Sequence, residues 1–437
     1  MYFFYNTLLI LLTLILSPFG LIIFMLGKKY RCGFMQKCGF YTRSQSFKKL
    51  RTRPVWIHAV SVGEVMATTP LVKMIKKTYP DLPIILSTVT ETGNFTAQHN
   101  TKGIDQVIYF PFDYNFIVKK VISKISPLLF VTLETELWPN FSRELQLQNI
   151  PSMVISGRIS SESFKSYSFF NFFFKRVLSN IDCFCMQTKT DADRIIHIGA
   201  SSEKVVVTGN IKFDLQIPGI TTEEKIEVQN NLQINDSLNI FIAGSTHRGE
   251  EEIIIKVFTE LKKKINNLIL ILAPRHPERF DEVEDLLKHS KISYLRKTAL
   301  SKTPKGNQPY VILLDTIGEL SKSYSIADIV FIGGSLVPVG GHNVLEPAVF
   351  SKPVIFGKHM DNFREMVSLL LNKKGAIQVN NVEEFIEQSL LLLNNKELCR
   401  QIGETSFQVI KENSGAVNKS MVILKKILEN AISKNLR

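Results

Sequence analysis

Cysteine is scarce: five in 437 residues, an odd number without the spacing of a disulfide framework, as expected of a reducing compartment. Cys183 and Cys185 flank Phe184 at strand spacing, so they share one face and read as packing residues rather than metal ligands. Nucleotide signatures are missing too. No Walker A sequence occurs, and the glycine-rich stretches lack the G-x-G-x-x-G spacing of a dinucleotide site. No internal repeat is visible. Charge is absent from the first 27 residues, and acidic residues are absent from Lys28–Arg53, which carries nine basic ones. Disorder is excluded by a composition of 45% apolar and 21% charged residues, and the length suits two to three domains.

The net charge of +13 belongs to the first half: Met1–Leu215 holds 25 Lys+Arg against 14 Asp+Glu, the remainder 28 against 26. Nucleic-acid binding would want basic residues interleaved with stacking aromatics on a recognisable module, so no nucleic-acid partner is expected. A basic belt abutting an apolar run reads instead as a chain held against an anionic membrane surface. Met1–Leu26 is almost entirely Leu, Ile, Phe and Tyr, and as a helix it would reach roughly 39 Å, the span of a bilayer. It lacks the charged leader and small-x-small cleavage site of a signal peptide, so a retained anchor is expected, interrupted at Pro18 and Gly20. Lys28, Lys29, Arg31 and Lys37 then put everything that follows in the cytoplasm.

Beyond the belt, apolar β-rich runs alternate with helical patterns, the mark of α/β domains with parallel sheets. Strands are expected at Val55–Val60, Ile84–Thr88, Gln106–Phe110, Leu128–Leu133, Ser152–Ile155, Cys183–Gln187 and Val205–Thr208. After a connection around Pro218 and Gly219, a second series follows at Leu238–Ala243, Leu268–Ala273, Tyr310–Leu314, Asp328–Ile332, Pro353–Phe356 and Ala376–Val379. The expected domains are an anchor over 1–27, a basic segment over 28–53, and Rossmann-like domains over 54–215 and 216–437, the last helix being free to return to the first domain. Two such domains facing a cleft would bind ligands at the carboxyl ends of their strands.

Candidate chemistry clusters at those strand ends. Glu64 follows the first strand in Ser61-Val-Gly-Glu64, a capping-box spacing, and is open to two readings: helix cap, or general base. Glu134 and Glu136 follow the fourth strand, where like charges repel unless one is neutralised; capping before Pro139 is the competing reading. Arg158 and Lys212 follow short strands and suit a phosphate or carboxylate, with solvated surface cations as the default. Asp191-Ala-Asp193 has the look of a metal-binding DxD, but it follows Thr190 as an N-cap and fits dipole stabilisation better. Ala243–Glu250 and Ala273–Pro277 open helices like anion cradles, and Gly333–Pro347 carries four glycines in front of Asn343–Glu346. There Glu346 can accept ribose hydroxyls while the glycine-rich backbone holds a phosphate. The seven aromatics of Phe164–Phe174 are either core or an exposed apolar patch.

Taken in order, Ser61-Val-Gly-Glu64, Glu134-Thr-Glu-Leu-Trp-Pro-Asn140, Ser156-Gly-Arg158, Gly209-Asn-Ile-Lys-Phe-Asp214, Ala273-Pro-Arg-His276 and Gly340-Gly-His-Asn-x-x-Glu-Pro347 closely resemble the lipid A Kdo transferases. The resemblance covers about residues 1–430. It implies a GT-B fold and inverting, metal-independent transfer of 3-deoxy-D-manno-octulosonic acid (Kdo) from CMP-Kdo to a lipid A precursor. The site would be at the cytoplasmic face of the inner membrane, and no cofactor is implied. By motif match it makes Glu64 the general base, assisted by Glu134 and Lys212, and places CMP at Pro274, Arg275, Ile317, Gly318, Glu319, Asn343, Val344, Leu345 and Glu346. The alternatives are a UDP-sugar transferase of the same architecture and a membrane-tethered lipid-binding protein without catalysis.

Overall fold

The computed structural model describes residues 1–26, 33–41, 47, 52–214, 220–300 and 310–435. Most of the basic belt, including Lys28, Lys29 and Arg31, and the Pro218–Gly219 connection lie outside them. The chain divides into two compact units, Met1–Leu215 with Asn413–Arg437, and Gln216–Glu412.

The first unit is built on seven parallel strands: β1 (Val55–His58), β2 (Ile84–Thr88), β3 (Gln106–Tyr109), β4 (Leu129–Leu133), β5 (Ser152–Gly157), β6 (Cys183–Met186) and β7 (Val205–Val207). Their order across the sheet is β3-β2-β1-β4-β5-β6-β7. Strand order therefore reverses between β1 and β4, and the loops leaving those two strands diverge to open a crevice. Glu134 stands directly after β4, and Glu64 in the first helical turn after β1. Strands such as Val55–His58 and Leu129–Leu133 are buried along their whole length because helices cover both faces of the sheet.

The second unit repeats the plan with β8 (Asn239–Thr246), β9 (Leu268–Pro274), β10 (Tyr294–Arg296), β11 (Val311–Leu313), β12 (Ile329–Ile332), β13 (Val354–Phe356) and β14 (Ala376–Gln378). Its order is β10-β11-β9-β8-β12-β13-β14, with the reversal between β8 and β12. All the expected strands form, with ends moved by at most three residues. The strand missing from the sequence reading, β10, is a three-residue, half-buried edge strand with no apolar run to announce it. Strand β8 runs past Ala243 through Thr246, and Gly244 is required there: a Cβ would lie 2.0 Å from the buried Tyr324 hydroxyl.

The helix Ala416–Asn435 lies in the core of the first unit, where Ala416, Val417, Met421, Leu424 and Leu428 join Val55, Ile57, Val131, Cys183 and Cys185. Asp214 fixes its start by accepting the Gly415 and Val417 N–H groups.

Two expectations for the N-terminal segment need correction. The helix Tyr2–Leu26 runs on through Pro18 and Gly20. Proline removes one N–H, and the Ser17 hydroxyl donates instead to Leu14 O at 2.9 Å. Nor is a bilayer-spanning anchor supported: among the described residues no helix is long and apolar enough to cross a membrane. One face of its first four turns is instead spent on the protein. Tyr2, Tyr5, Asn6 and Thr13 hydrogen-bond to Asn180, Asp113, Asn140 and Tyr114, and so lay the helix along the first unit. The opposite face, with Phe3, Phe4, Leu8, Leu11 and Ile15, is exposed.

Leu424→Ala is expected to destabilise the first unit by about 2–5 kcal/mol, the cost of emptying a buried leucine site. Both tryptophans, Trp56 and Trp138, belong to that unit, so fluorescence-detected urea unfolding reads the change. An unchanged midpoint would refute the placement of this helix in that core.

Candidate active site

Glu64 sits in the first turn of the helix Val62–Thr78, and 8% of its surface is exposed. Its carboxylate accepts the Val60 N–H at 2.8 Å and the Ser61 hydroxyl at 2.9 Å, while Ser61 Oγ accepts the Glu64 N–H at 3.3 Å. Capping and a place at the sheet's carboxyl edge thus prove compatible. Burial pushes the Glu64 carboxyl above its usual range and the Glu134 charge adds to this; Val60, Ser61 and Lys212 pull it back.

Glu134 directly follows β4 in the left-handed region, at φ 55°, a conformation that costs a non-glycine residue about 1–3 kcal/mol. Its Oε1 meets Lys212 Nζ at 2.6 Å. Glu136 is pushed up to about 7, first by burial and then by the charges of Glu64 and Glu134. Three carboxylates and one ammonium therefore share the reversal point of the first sheet. Lys212 is aimed by a local network: Asn210 Oδ1 accepts the Lys212 N–H at 3.0 Å, and Ser156 Oγ meets Asn210 Oδ1 at 3.2 Å.

Arg158 is exposed nearby in sequence, its N–H bonded to Thr135 Oγ1 at 2.9 Å. The N-cap of the helix Lys189–Ile198 is Thr188 rather than Thr190, and Asp191 accepts the Ile159 N–H at 2.8 Å as well as the Thr188 hydroxyl. The one buried carboxylate of the Asp191–Asp193 pair is thus spent inside the fold. The aromatic stretch divides: Phe164, Tyr167 and Phe174 pack against the core, whereas Phe169 and Phe172 are 80% and 75% exposed.

In the second unit the glycine-rich loop does something the sequence reading did not foresee. The buried Glu250 carboxylate accepts four backbone N–H groups, from His247 at 2.9 Å, Gly334 at 2.6 Å, Ser335 at 3.0 Å and Leu336 at 2.9 Å. Those amides hold an internal anion, so the expected backbone phosphate cradle is corrected at these positions. Glu250 is also the N-cap of the helix Glu251–Lys262, which puts a carboxylate where an anion cradle was expected. A second correction concerns Asn343–Glu346: the helix there, Leu345–Ala348, is a single turn with only a small dipole.

What remains for an anion is side-chain charge. Arg275 follows β9 and is exposed, with its N–H on Thr246 O at 3.0 Å. Nearby, His247 Nε2 meets His342 Nε2 at 2.8 Å with the rings stacked 5.0 Å apart, and His276 approaches His247 edge-on at 5.3 Å. Burial depresses His342 to about 3 and His247 to about 4, with Arg275 and the neighbouring histidines adding to this. Glu346 is raised by burial and drawn back by Asn343 and Arg275. Val344 and Leu345 are buried, and Pro274 ends β9. Ile317, 82% exposed, and Gly318 border a cleft of about 350 Å³, shared with Glu224, Glu227, Lys322 and the Lys297–Glu319 ion pair at 2.8 Å. The signal for Glu250 was present in His247-Arg-Gly-Glu250, whose spacing allows a side chain to return to the N–H three residues earlier. None existed for the His247–His342 pair, 95 residues apart.

Residues 31–215 match a protein family described as 3-deoxy-D-manno-octulosonic-acid transferase (kdotransferase), and residues 223–409 match glycosyl transferases group 1. The chain is similar to the 3-deoxy-D-manno-octulosonic acid transferase of Haemophilus influenzae, 37% identical over 433 residues, covering 98% of this chain and 99% of that one. It is 30% identical to the enzyme of the same name from Rickettsia felis, over 86% of this chain and 79% of that one. Among solved structures, the UDP-GlcNAc 2-epimerase of Neisseria meningitidis shares the fold, with a TM-score of 0.52 at 16% identity, over 86% of this chain and 100% of that one.

Because the folded-state value of Glu136 is raised to about 7, its favourable contribution is complete below the unfolded value near 4.5 and is lost as pH rises through 7. Glu136→Gln should therefore raise stability at pH 8 by about 1–2 kcal/mol, after allowance for partial exposure, and by much less at pH 5. Chemical unfolding at the two pH values decides it; equal gains would rule out ionisation as the cause.

Proposed function

The chain belongs to the 3-deoxy-D-manno-octulosonic acid (Kdo) transferase family and is a glycosyltransferase, and from that premise we propose that it transfers Kdo from CMP-Kdo to a lipid A precursor. The observation that carries the mechanism is the Glu64–Glu134–Glu136–Lys212 group at the reversal point of the first sheet. An acceptor hydroxyl attacks the anomeric carbon of Kdo and gives its proton to the Glu64 carboxylate. The bond from that carbon to the phosphate oxygen breaks, and CMP leaves with the electron pair. Attack opposite the leaving group inverts the anomeric centre. A base whose pKa is raised accepts a proton more readily at neutral pH than an ordinary carboxylate, which is what Glu64's burial supports. Lys212, held by Glu134, supplies fixed positive charge as negative charge moves.

Donor binding is assigned to the second unit: Arg275 for the phosphate, Glu346 for ribose hydroxyls, and the open Ile317–Glu319 corner for the base. Transfer proceeds without a metal ion in this reading. The chain works at the cytoplasmic face of the inner membrane, its N-terminal helix lying in the interface with Phe3, Phe4, Leu8 and Leu11 towards lipid. Exposed Phe169 and Phe172 offer apolar surface to acyl chains.

Glu64→Gln should lower transfer by roughly 10²–10⁴-fold while CMP-Kdo binding persists, measured by mass-spectrometric counting of Kdo on the lipid and by thermal shift. Substantial residual transfer would remove Glu64 as the base. CMP, and not UDP, should stabilise the protein, and EDTA should leave transfer intact. The acid limb of kcat should lie above the ordinary carboxylate range. Glu134→Gln should move it down, since removing a like charge makes Glu64 easier to ionise.

A further inference from the structure

Asp113 lies in the turn between β3 and the helix Asn115–Ile125 and is 6% exposed. Its carboxylate binds two separate elements. Oδ2 accepts the Asn140 N–H at 3.0 Å and Oδ1 the Phe141 N–H at 2.8 Å, capping the helix Pro139–Leu147. Oδ2 also accepts the Tyr5 hydroxyl at 2.9 Å. Beside it, the Asn6 and Asn140 side-chain amides pair reciprocally at 2.8 and 3.1 Å, and Asn140 Nδ2 donates to Asp113 O at 2.5 Å. One buried carboxylate thus fastens the second turn of the N-terminal helix to the first turn of Pro139–Leu147.

The residues in front of that turn are Glu134–Trp138, which carry the two glutamates that follow β4. Their strand end is fixed by the sheet, with the Glu134 N–H on Ile155 O at 2.9 Å. Their helix end is fixed by Asp113 and, through it, by the N-terminal helix. Tyr2, Tyr5, Asn6 and Leu9 recur at helical spacing as the less exposed face of that helix, with the Arg143 guanidinium 4.5 Å over the Tyr2 ring and the Tyr5 ring 5.7 Å from Phe173. The polar groups of Tyr2, Tyr5 and Asn6 are thus spent on partners within the protein.

We propose that Tyr5, Asn6, Asp113 and Asn140 are positioning residues through which docking of the N-terminal helix sets the conformation of Glu134–Trp138. The helix is then a part of the catalytic scaffold as well as a lipid-facing element. This rests on the role given above to Glu134.

The test uses the full chain carrying Tyr5→Phe and Asn6→Leu, assayed in detergent micelles so that recruitment to a bilayer does not limit the rate. The expected result is a fall in kcat of roughly ten- to hundredfold, the scale of a small misplacement of catalytic groups, with KM for CMP-Kdo unchanged. Trp138, at the N-cap of Pro139–Leu147, reports the segment directly. Since Trp56 is fully buried, acrylamide quenching selects Trp138, and its quenching constant should rise in the variant. Unchanged quenching, an unchanged kcat, or a loss confined to KM would each overturn the proposal. If the double variant does not fold, Tyr5→Phe alone, which removes one hydroxyl, should show a smaller form of both effects. Quenching needs no substrate, so failure of the wild-type chain to transfer Kdo would sink the assigned function while still leaving the coupling open to refutation.

Discussion

Three carboxylates can share a half-buried hollow only if a cation offsets part of their charge, and the 2.6 Å contact between Lys212 Nζ and Glu134 Oε1 supplies it. Much else in the first unit follows from that pair. Glu134 accepts a strained backbone to reach it. Ser156 and Asn210 fix the loop that presents Lys212. Compensation is incomplete, one positive charge against three carboxylates; burial foremost, and after it the neighbouring carboxylate charges, raise the pKa values of Glu64 and Glu136. A site with that imbalance is ready to take up a proton, and the same imbalance makes it a weak point in stability.

The second unit solves the opposite problem. Its glycine-rich loop offers backbone N–H groups to an anion, but the anion is Glu250 from the chain itself. The buried carboxylate ties the loop after β12 to the start of the helix after β8, across the reversal point of that sheet. Exposed side-chain charge is what that region still offers an anion, Arg275 foremost, near two histidines whose ring nitrogens face each other at 2.8 Å. Burial foremost, and the neighbouring cations after it, keep both rings hard to protonate, so near neutral pH the pair contributes hydrogen bonds rather than charge.

Legibility in the sequence followed burial. Strands such as Ile84–Thr88 and Leu268–Pro274 are buried along their whole length because both sheet faces are covered, and the mainly apolar run this demands is readable without coordinates. Edge strand β10 is short, half-buried and mixed in character, so no run marks it. Glu64 was legible as either a cap or a cleft carboxylate. Geometry allows both, since the oxygens that bond Val60 and Ser61 still lie within the field of Glu134 and Lys212. The N-terminal segment was legible as an apolar helix but not as a docked one, because Tyr5 and Asn6 find partners more than one hundred residues away.

By itself the sequence determined the alternation of strand and helix, the placing of Glu64, Glu134, Lys212 and Arg275 at strand ends, and the ordered motifs that identify the family. These depend on local periodicity and spacing, which the chain carries in its own order. Tertiary structure alone decided which carboxylate is paired, which anion fills the glycine loop, which unit owns the last helix, and which face of the first helix is spent on protein. Each of those outcomes is a contact between residues distant in sequence, and linear order does not specify which polar groups will meet once the sheets have formed.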